Sequence, residues 1–340
     1  MKLFTLIALP VILLALFVIN TDKEKAGADK QKGICWVGTP QPVTREEVSI
    51  LSSVGVTWIS QTPFAWQQTP GDTSIRFEKE SGRKPWWGES YEGIATTTRY
   101  AKEHSIKTII KPHIWLRDSW PGEIEMQNEF AWKQWFKNYS AFILSYAALA
   151  QAEQVEILCI GTELQKTLHR PEWFVLIREI RSVYQGKLTY AANFNEFERV
   201  PFWKELDYIG IQAYFPLTKN EHPSVDDLTE GWQKPLAQIQ ALHDRLQMPI
   251  IFTEIGYKST SDGTINPWQW PSQHDLNKIS ETTQANAYEA FFKECWHQPW
   301  LAGVYFWKWY PQGSKRHAAI DFTPQGKAAE NVMKQWFINK

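Results

Sequence analysis

From residue 33 onward the chain alternates two patterns. Short apolar runs give way to longer stretches in which apolar positions recur every three or four residues. The runs are GICWVG (33–38), VTWISQT (56–62), KTIIKPHIW (107–115), VEILCIGTE (155–163), LTYAAN (188–193), LDYIGIQAY (206–214), PIIFTEIG (249–256) and AGVYFWKWY (302–310). Their lengths and their β-branched and aromatic content predict strands. Helical spacing marks TREEVSILSSVG, YEGIATTTRYAKEHS, EFAWKQWFKNYSAFILSYAALAQAEQ, PEWFVLIREIRSVYQ, GWQKPLAQIQALHDRLQ and TTQANAYEAFFKECWHQ. In the first of these, Thr44 and Glu47 stand at capping-box spacing. Continuous apolar strands alternating with helices imply parallel strands covered by helices. Eight strand–helix units in about 310 residues fit a closed (β/α)8 TIM barrel, a single α/β domain over 33–340, better than an open sheet. Neither GxGxxG nor GxxxxGK[ST] occurs, so the nucleotide-binding open folds lose support. Residues 63–90 and 257–280 carry Trp, Pro and Gly and read as loops that shape a cleft.

The first twenty residues stand outside this pattern. MKLFTLIALPVILLALFVIN sets one lysine ahead of an apolar run, as in a signal peptide or signal anchor. Residues 21–32, TDKEKAGADKQK, read as a polar tether. The domain is therefore expected to be exported: periplasmic, extracellular, or held at the membrane through the N-terminal segment alone. Composition adds two points. With 36 Lys and Arg against 37 Asp and Glu, the net charge of −1 gives no field that favours nucleic acid. The unusual count is 19 Trp. About half are expected in the core, the rest on a surface or cleft where flat rings suit sugar faces. The three cysteines, Cys35, Cys159 and Cys295, make no disulfide framework, and Cys35 and Cys159 read as small core side chains. No CxxC, HExxH or Cys/His cluster occurs, so neither a metal nor another cofactor is expected.

In a (β/α)8 barrel the chemistry sits at the C-terminal ends of the strands. Those ends supply His113 and Trp115, Thr162 and Glu163, Asn193, Gln212 and Tyr214, Glu254, and Trp307 and Trp309. The set holds two carboxylates, polar donors and flat aromatics. It lacks a Ser–His–Asp set and a metal-ligand cluster. Burying a carboxylate is costly unless it is paired or hydrogen-bonded, so Glu254 at the end of the apolar run IIFTEI calls for a function. Paired carboxylates carry glycoside hydrolysis. One protonates the leaving oxygen and the other attacks, or activates water; in the retaining version they stand about 5–5.5 Å apart. Trp307 and Trp309 alternate with Phe306 and Lys308, so at least one pair faces the helices as core, and pleat alternation favours Trp307 in the site. Arg117 and Asp118 read as a solvated loop pair.

The stretches LCIGTEL, LDYIGIQAYFPL, IIFTEIGYKS and VYFWKW, taken together, resemble the glycoside hydrolases of clan A, and most closely family 113, the β-mannanases. The resemblance extends over nearly the whole chain after residue 32. It implies a (β/α)8 barrel and retaining cleavage of β-1,4-mannosidic bonds, with a mannan-type polysaccharide or oligosaccharide as substrate. It further implies Glu163 as acid/base and Glu254 as nucleophile, with Tyr214 bonded to the nucleophile and Trp307 as the floor under the attacked sugar. His113, Asn193 and Trp36 are implied as further substrate contacts. Thr162 stands where many clan members carry Asn, a feature shared with family 113. Two alternatives stay open: a clan A hydrolase acting on another β-glycan, and a catalytically silent sugar-binding barrel.

Overall fold

Prolines decide where the first barrel strands stop. Pro63 and Pro112 have no amide to give to a ladder. In the computed structural model, which describes residues 30–78, 85–313 and 318–339, the chain breaks at both. The strands are β1 (Gln31–Trp36), β2 (Trp58–Gln61), β3 (Phe64–Trp66), β4 (Lys107–Ile110), β5 (His113–Trp115), β6 (Ile157–Thr162), β7 (Lys187–Asn193), β8 (Tyr208–Gln212), β9 (Ile250–Ile255) and β10 (Leu301–Trp309). Eight of them close into a parallel barrel in the order β1-β10-β9-β8-β7-β6-β4-β2, so the (β/α)8 reading is correct. The run KTIIKPHIW, expected as one strand, is two. Past the prolines, β3 and β5 pair with each other as a separate two-stranded sheet, Phe64 beside His113 and Trp66 beside Trp115.

The helices are α1 (Arg45–Ser53), α2 (Tyr91–Glu103), α3 (Glu129–Ala152), α4 (Glu172–Val183), α5 (Val225–Leu246), α6 (Glu281–Cys295) and α7 (Ala328–Asn339). Thr44 and Glu47 cap α1 reciprocally, the Glu47 amide donating to the Thr44 hydroxyl at 3.2 Å and the Thr44 amide to Glu47 at 2.8 Å. No α-helix joins β7 to β8; two 3-10 turns, Phe197–Arg199 and Trp203–Glu205, fill that connection. The N-terminal segment 1–20 and most of the tether lie outside the described residues. The tether boundary at 32 moves: Gln31 already pairs with Gly303 and accepts a 2.7 Å hydrogen bond from the Tyr305 hydroxyl. Among the described residues, no helix is long and apolar enough to cross a membrane.

Alternation divides the strands between two cores. Ile34, Leu158, Ile160, Ile250 and Phe252 face the helices. Cys35, Ile109, Cys159 and Ile251 fill the barrel interior, and all three cysteines are free and buried. The alternation then breaks on three strands. On β9, Phe252 lies beside Ile211 but Glu254 lies beside the next residue, Gln212, so Thr253 is extra. The β9–β10 ladder has the same shift, Val304 facing Phe252 and Phe306 facing Ile255. On β6, three steps from Cys159 to Thr162 match two on β7. On β10, three steps from Phe306 to Trp309 match two on β1. One-residue bulges of this kind re-aim the side chains that follow them. The bulge on β9 turns Glu254 inward, away from the helix-facing row of Ile250 and Phe252. The bulge on β10 lets the consecutive residues Trp307 and Lys308 both face the barrel mouth, which strict alternation does not allow.

Candidate active site

Glu254 is 4% exposed, and both of its oxygens are engaged. The Tyr214 hydroxyl donates to Oε2 at 2.7 Å. The Lys111 ammonium contacts Oε1 in a buried ion pair. Burial is the largest influence on Lys111 and lowers its proton affinity, but the Glu254 charge and hydrogen bond, together with Cys35 and Cys159, more than offset it and hold the ammonium above the ordinary lysine range. Lys111 also lies 2.9 Å from His113 Nε2. An ammonium only donates, so Nε2 accepts and the ring proton sits on Nδ1. Burial, followed by the Lys111 charge, pushes His113 well below its ordinary pKa. Its 3.7 Å approach to Glu254 is therefore that of a neutral ring. Strand-end reasoning missed Lys111. The signal was present: a lysine inside KTIIKPHIW has to find a counter-charge once the strand is buried.

Glu163 follows the β6 bulge in a left-handed conformation, φ 54°. A residue with a Cβ holds that conformation at a cost of about 1–3 kcal/mol, so its surroundings must fix it. Here the Glu163 amide donates to the Ala191 carbonyl at 2.9 Å, and the Leu164 amide donates to the buried Tyr190 hydroxyl at 2.7 Å. The Trp120 indole N–H donates to Glu163 Oε2 at 2.9 Å. Gln212, whose carbonyl oxygen accepts from the Thr253 hydroxyl at 3.1 Å, also acts on the Glu163 carboxyl. Burial pushes the Glu163 pKa up to about 7; the Glu254 charge adds to this, while Trp120, Lys111 and Gln212 oppose it. Trp120 was also missed, because it lies in a loop rather than at a strand end. Near Glu163, just past the end of β7, is a third carboxyl, Glu196, 1% exposed. Its Oε1 accepts from the Asn193 amide at 2.9 Å, and its Oε2 has no hydrogen-bond partner. Burial, opposed by the Asn193 amide and reinforced by the Glu163 charge, takes it to about 7 as well.

Of the expected substrate contacts, Tyr214 and His113 meet at Glu254. Trp307 joins Tyr214 at the top of the barrel interior and lines the cleft, 5.8 Å from Lys111. Asn193 spends its side-chain oxygen on the Phe194 amide at 2.7 Å. Trp36 is 2% exposed and packs in the helix-side core, so its ring is not presented to the cleft. The cleft has a volume of about 740 Å³ and runs from Trp307 to the small sheet, where Trp66 and Trp115 stand half open at 44% and 40% exposure. Trp86 and Trp270 line it too, and so does Arg117, which was expected to be part of a solvated loop pair. Among the described residues no group of His, Cys, Asp and Glu has the makings of a metal site.

A parallel barrel carrying a proton-holding carboxyl beside a buried, ion-paired carboxylate, with an aromatic cleft at its mouth, has the construction of a glycoside hydrolase. The model of glycoside hydrolase family 113 matches residues 38–337, and the chain belongs to that family. A search of curated proteins returned no match. Among solved structures, the GH113 β-mannanase AaManA from Alicyclobacillus acidocaldarius, determined in complex with ManMIm, superposes with a TM-score of 0.78 at 25% identity, over 91% of this chain and 97% of that one. A GH113 β-1,4-mannanase gives 0.78 at 22% identity over 92% and 100%. The β-glucuronidase of Faecalibacterium prausnitzii shares the fold at 0.59 and 13% identity, with 91% of this chain matching 49% of that one.

Proposed function

We propose that the protein is an exported retaining β-mannanase that cleaves β-1,4-mannosidic bonds, with Glu254 as nucleophile and Glu163 as acid/base. The observation that carries this is the split between the two carboxyls. Glu254 has a cation and a hydroxyl on its oxygens. Glu163 keeps its proton to about pH 7. In the first step a Glu254 oxygen bonds to the anomeric carbon while the bond to the leaving oxygen breaks and takes the Glu163 proton. The sugar ester that forms removes the Glu254 charge. One of the contributions raising the Glu163 pKa disappears with it, and Glu163 is left as a base. Water then gives a proton to Glu163, its oxygen bonds to the anomeric carbon, and Glu254 leaves as a carboxylate. Lys111 and Tyr214 hold Glu254 in line for attack and receive its charge again at the end. Mannan as the substrate rests on family membership and on the AaManA and β-1,4-mannanase likenesses. Export rests on the apolar segment 1–20.

The test is reducing-sugar release from mannan, glucomannan, cellulose and xylan side by side. Turnover of the mannans above the others is expected. Preference for cellulose or xylan would move the protein to the other β-glycan reading, and binding without turnover would make it a silent barrel. For the mechanism, a 2-fluoro-mannoside should label the peptide that carries Glu254. A label elsewhere, or product of inverted configuration, would overturn the assignment.

A further inference from the structure

Of the charged groups that line the cleft and that the mechanism leaves unused, Arg76, Glu78, Glu89, Arg117 and Lys308, the buried one is Lys308. It is 7% exposed and lines the cleft beside Trp307. Its nearest acid, Asp321, forms a long ion pair with it, 3.5 Å at Oδ1, while also accepting from the Phe322 amide at 2.7 Å on Oδ1 and from the Tyr310 hydroxyl at 2.8 Å on Oδ2. The ammonium otherwise faces aromatic rings, with centroids at 4.6 Å (Trp270), 5.1 Å (Tyr310) and 5.8 Å (Trp307). An ammonium carries three donors. One long ion pair and three ring faces leave donor capacity unused, and the open direction is the cleft.

Position in the barrel says what reaches Lys308. The leaving group has to sit by Glu163, directly after β6. The cleft is lined instead from the ends of β1, β2 and β10 and from the small sheet. It therefore holds the glycone, the part of the chain on the nucleophile's side. Trp270, 58% exposed, stands nearly perpendicular to Trp307 at 6.3 Å, making a corner with Lys308 in it. A sugar on Trp307 would have its neighbour against Trp270. Asp321 already balances the Lys308 charge, so the corner offers hydrogen-bond donors without a net charge to be met.

We propose that Lys308 is a specificity-determining residue for the glycone: its ammonium donates hydrogen bonds to hydroxyl groups of a neutral sugar one unit beyond the attacked residue, with that sugar lying against Trp270. This rests on the glycosidase reading of the same cleft and goes further by assigning the second glycone unit.

The experiment compares Lys308→Met and Trp270→Ala with the wild type on an aryl β-glycoside, which puts a single sugar on the glycone side, and on oligosaccharides of two to six units. The series is taken from whichever β-glycan the wild type cleaves. A wild type that cleaves only cello- or xylo-oligosaccharides would thus refute the mannan reading and still test Lys308. Both variants should lose about tenfold or more in kcat/KM on the longer oligosaccharides, chiefly through KM, as expected for one charge-assisted hydrogen bond or one stacked ring. The loss on the aryl glycoside should be several times smaller. Equal loss of Lys308→Met on all substrates, or none on the longest, would overturn the proposal. So would a loss confined to chains bearing uronic acids. Trp270→Ala removes a ring that is mostly exposed, so its length dependence can be read even if Lys308→Met fails to fold.

Discussion

At the scale of single residues the site is an arrangement of charges, and each can be perturbed separately. Glu163→Ala should harm substrates with poor leaving groups most, because those need protonation. Added azide should restore part of the turnover on activated aryl glycosides, since it attacks the sugar ester without a base. Uniform losses and no azide effect would place the acid/base elsewhere. The alkaline limb of the activity profile should follow Glu163 and fall near pH 7. Trp120 opposes the upward shift, so Trp120→Phe should move that limb to higher pH; a shift to lower pH would contradict the hydrogen bond. The same raised pKa has a sign for stability. Glu163 binds its proton more tightly folded than unfolded, so the folded state is penalised as pH rises from about 4.5 to about 7, and fully above. Glu163→Gln should therefore raise the melting temperature at pH 8 and leave it nearly unchanged at pH 4, with a gain of at most about 3 kcal/mol. Lys111→Met leaves Glu254 buried without its cation. A loss of about 3–5 kcal/mol in stability is expected, with activity falling even where the variant is still folded. An unchanged denaturation midpoint would mean that the ion pair is not formed.

At the scale of elements, the sequence was most legible where one pattern ran without interruption. All eight barrel strands were marked by their apolar runs, and the Thr44–Glu47 cap by its spacing. Pro112 was visible inside KTIIKPHIW, yet the apolar run continues across it, and only a partner strand at β3 reveals the break. Lys111 was hidden for the same reason: as the last residue before that break, it did not count as a strand end. Trp36 failed in the opposite way. It was implied by the resemblance alone; it ends β1 two residues after the helix-facing Ile34, and its ring lies in the helix-side core. The turn after β6 makes a further prediction. Tyr190→Phe removes the acceptor for the Leu164 amide and should cost about 1–3 kcal/mol. The loss of kcat should exceed any change in KM, because the turn aims Glu163 rather than binding sugar. A rise in KM alone would contradict that role.

At the scale of the whole molecule, the proposed activity has two forms, attack within a chain or at its end, and an aromatic cleft of about 740 Å³ at the barrel mouth leads us to expect the first. Viscosity of a soluble mannan should fall early, while few reducing ends have appeared; a parallel course of the two would indicate action at chain ends. Export is checked by fractionation, and recovery of the protein in the cytosolic soluble fraction with Met1 intact would refute it. The barrel as a whole also sets what counts as a change. Thr253 is the extra residue that turns Glu254 inward. A relative lacking a residue at that point would still read as carrying the glutamate. Its carboxylate, however, would point toward the aromatic layer that Trp232 and Phe291 build around Phe252. What lineages of this barrel must inherit is therefore a count as much as an amino acid, and a one-codon deletion can silence the enzyme while every acidic letter stays in place.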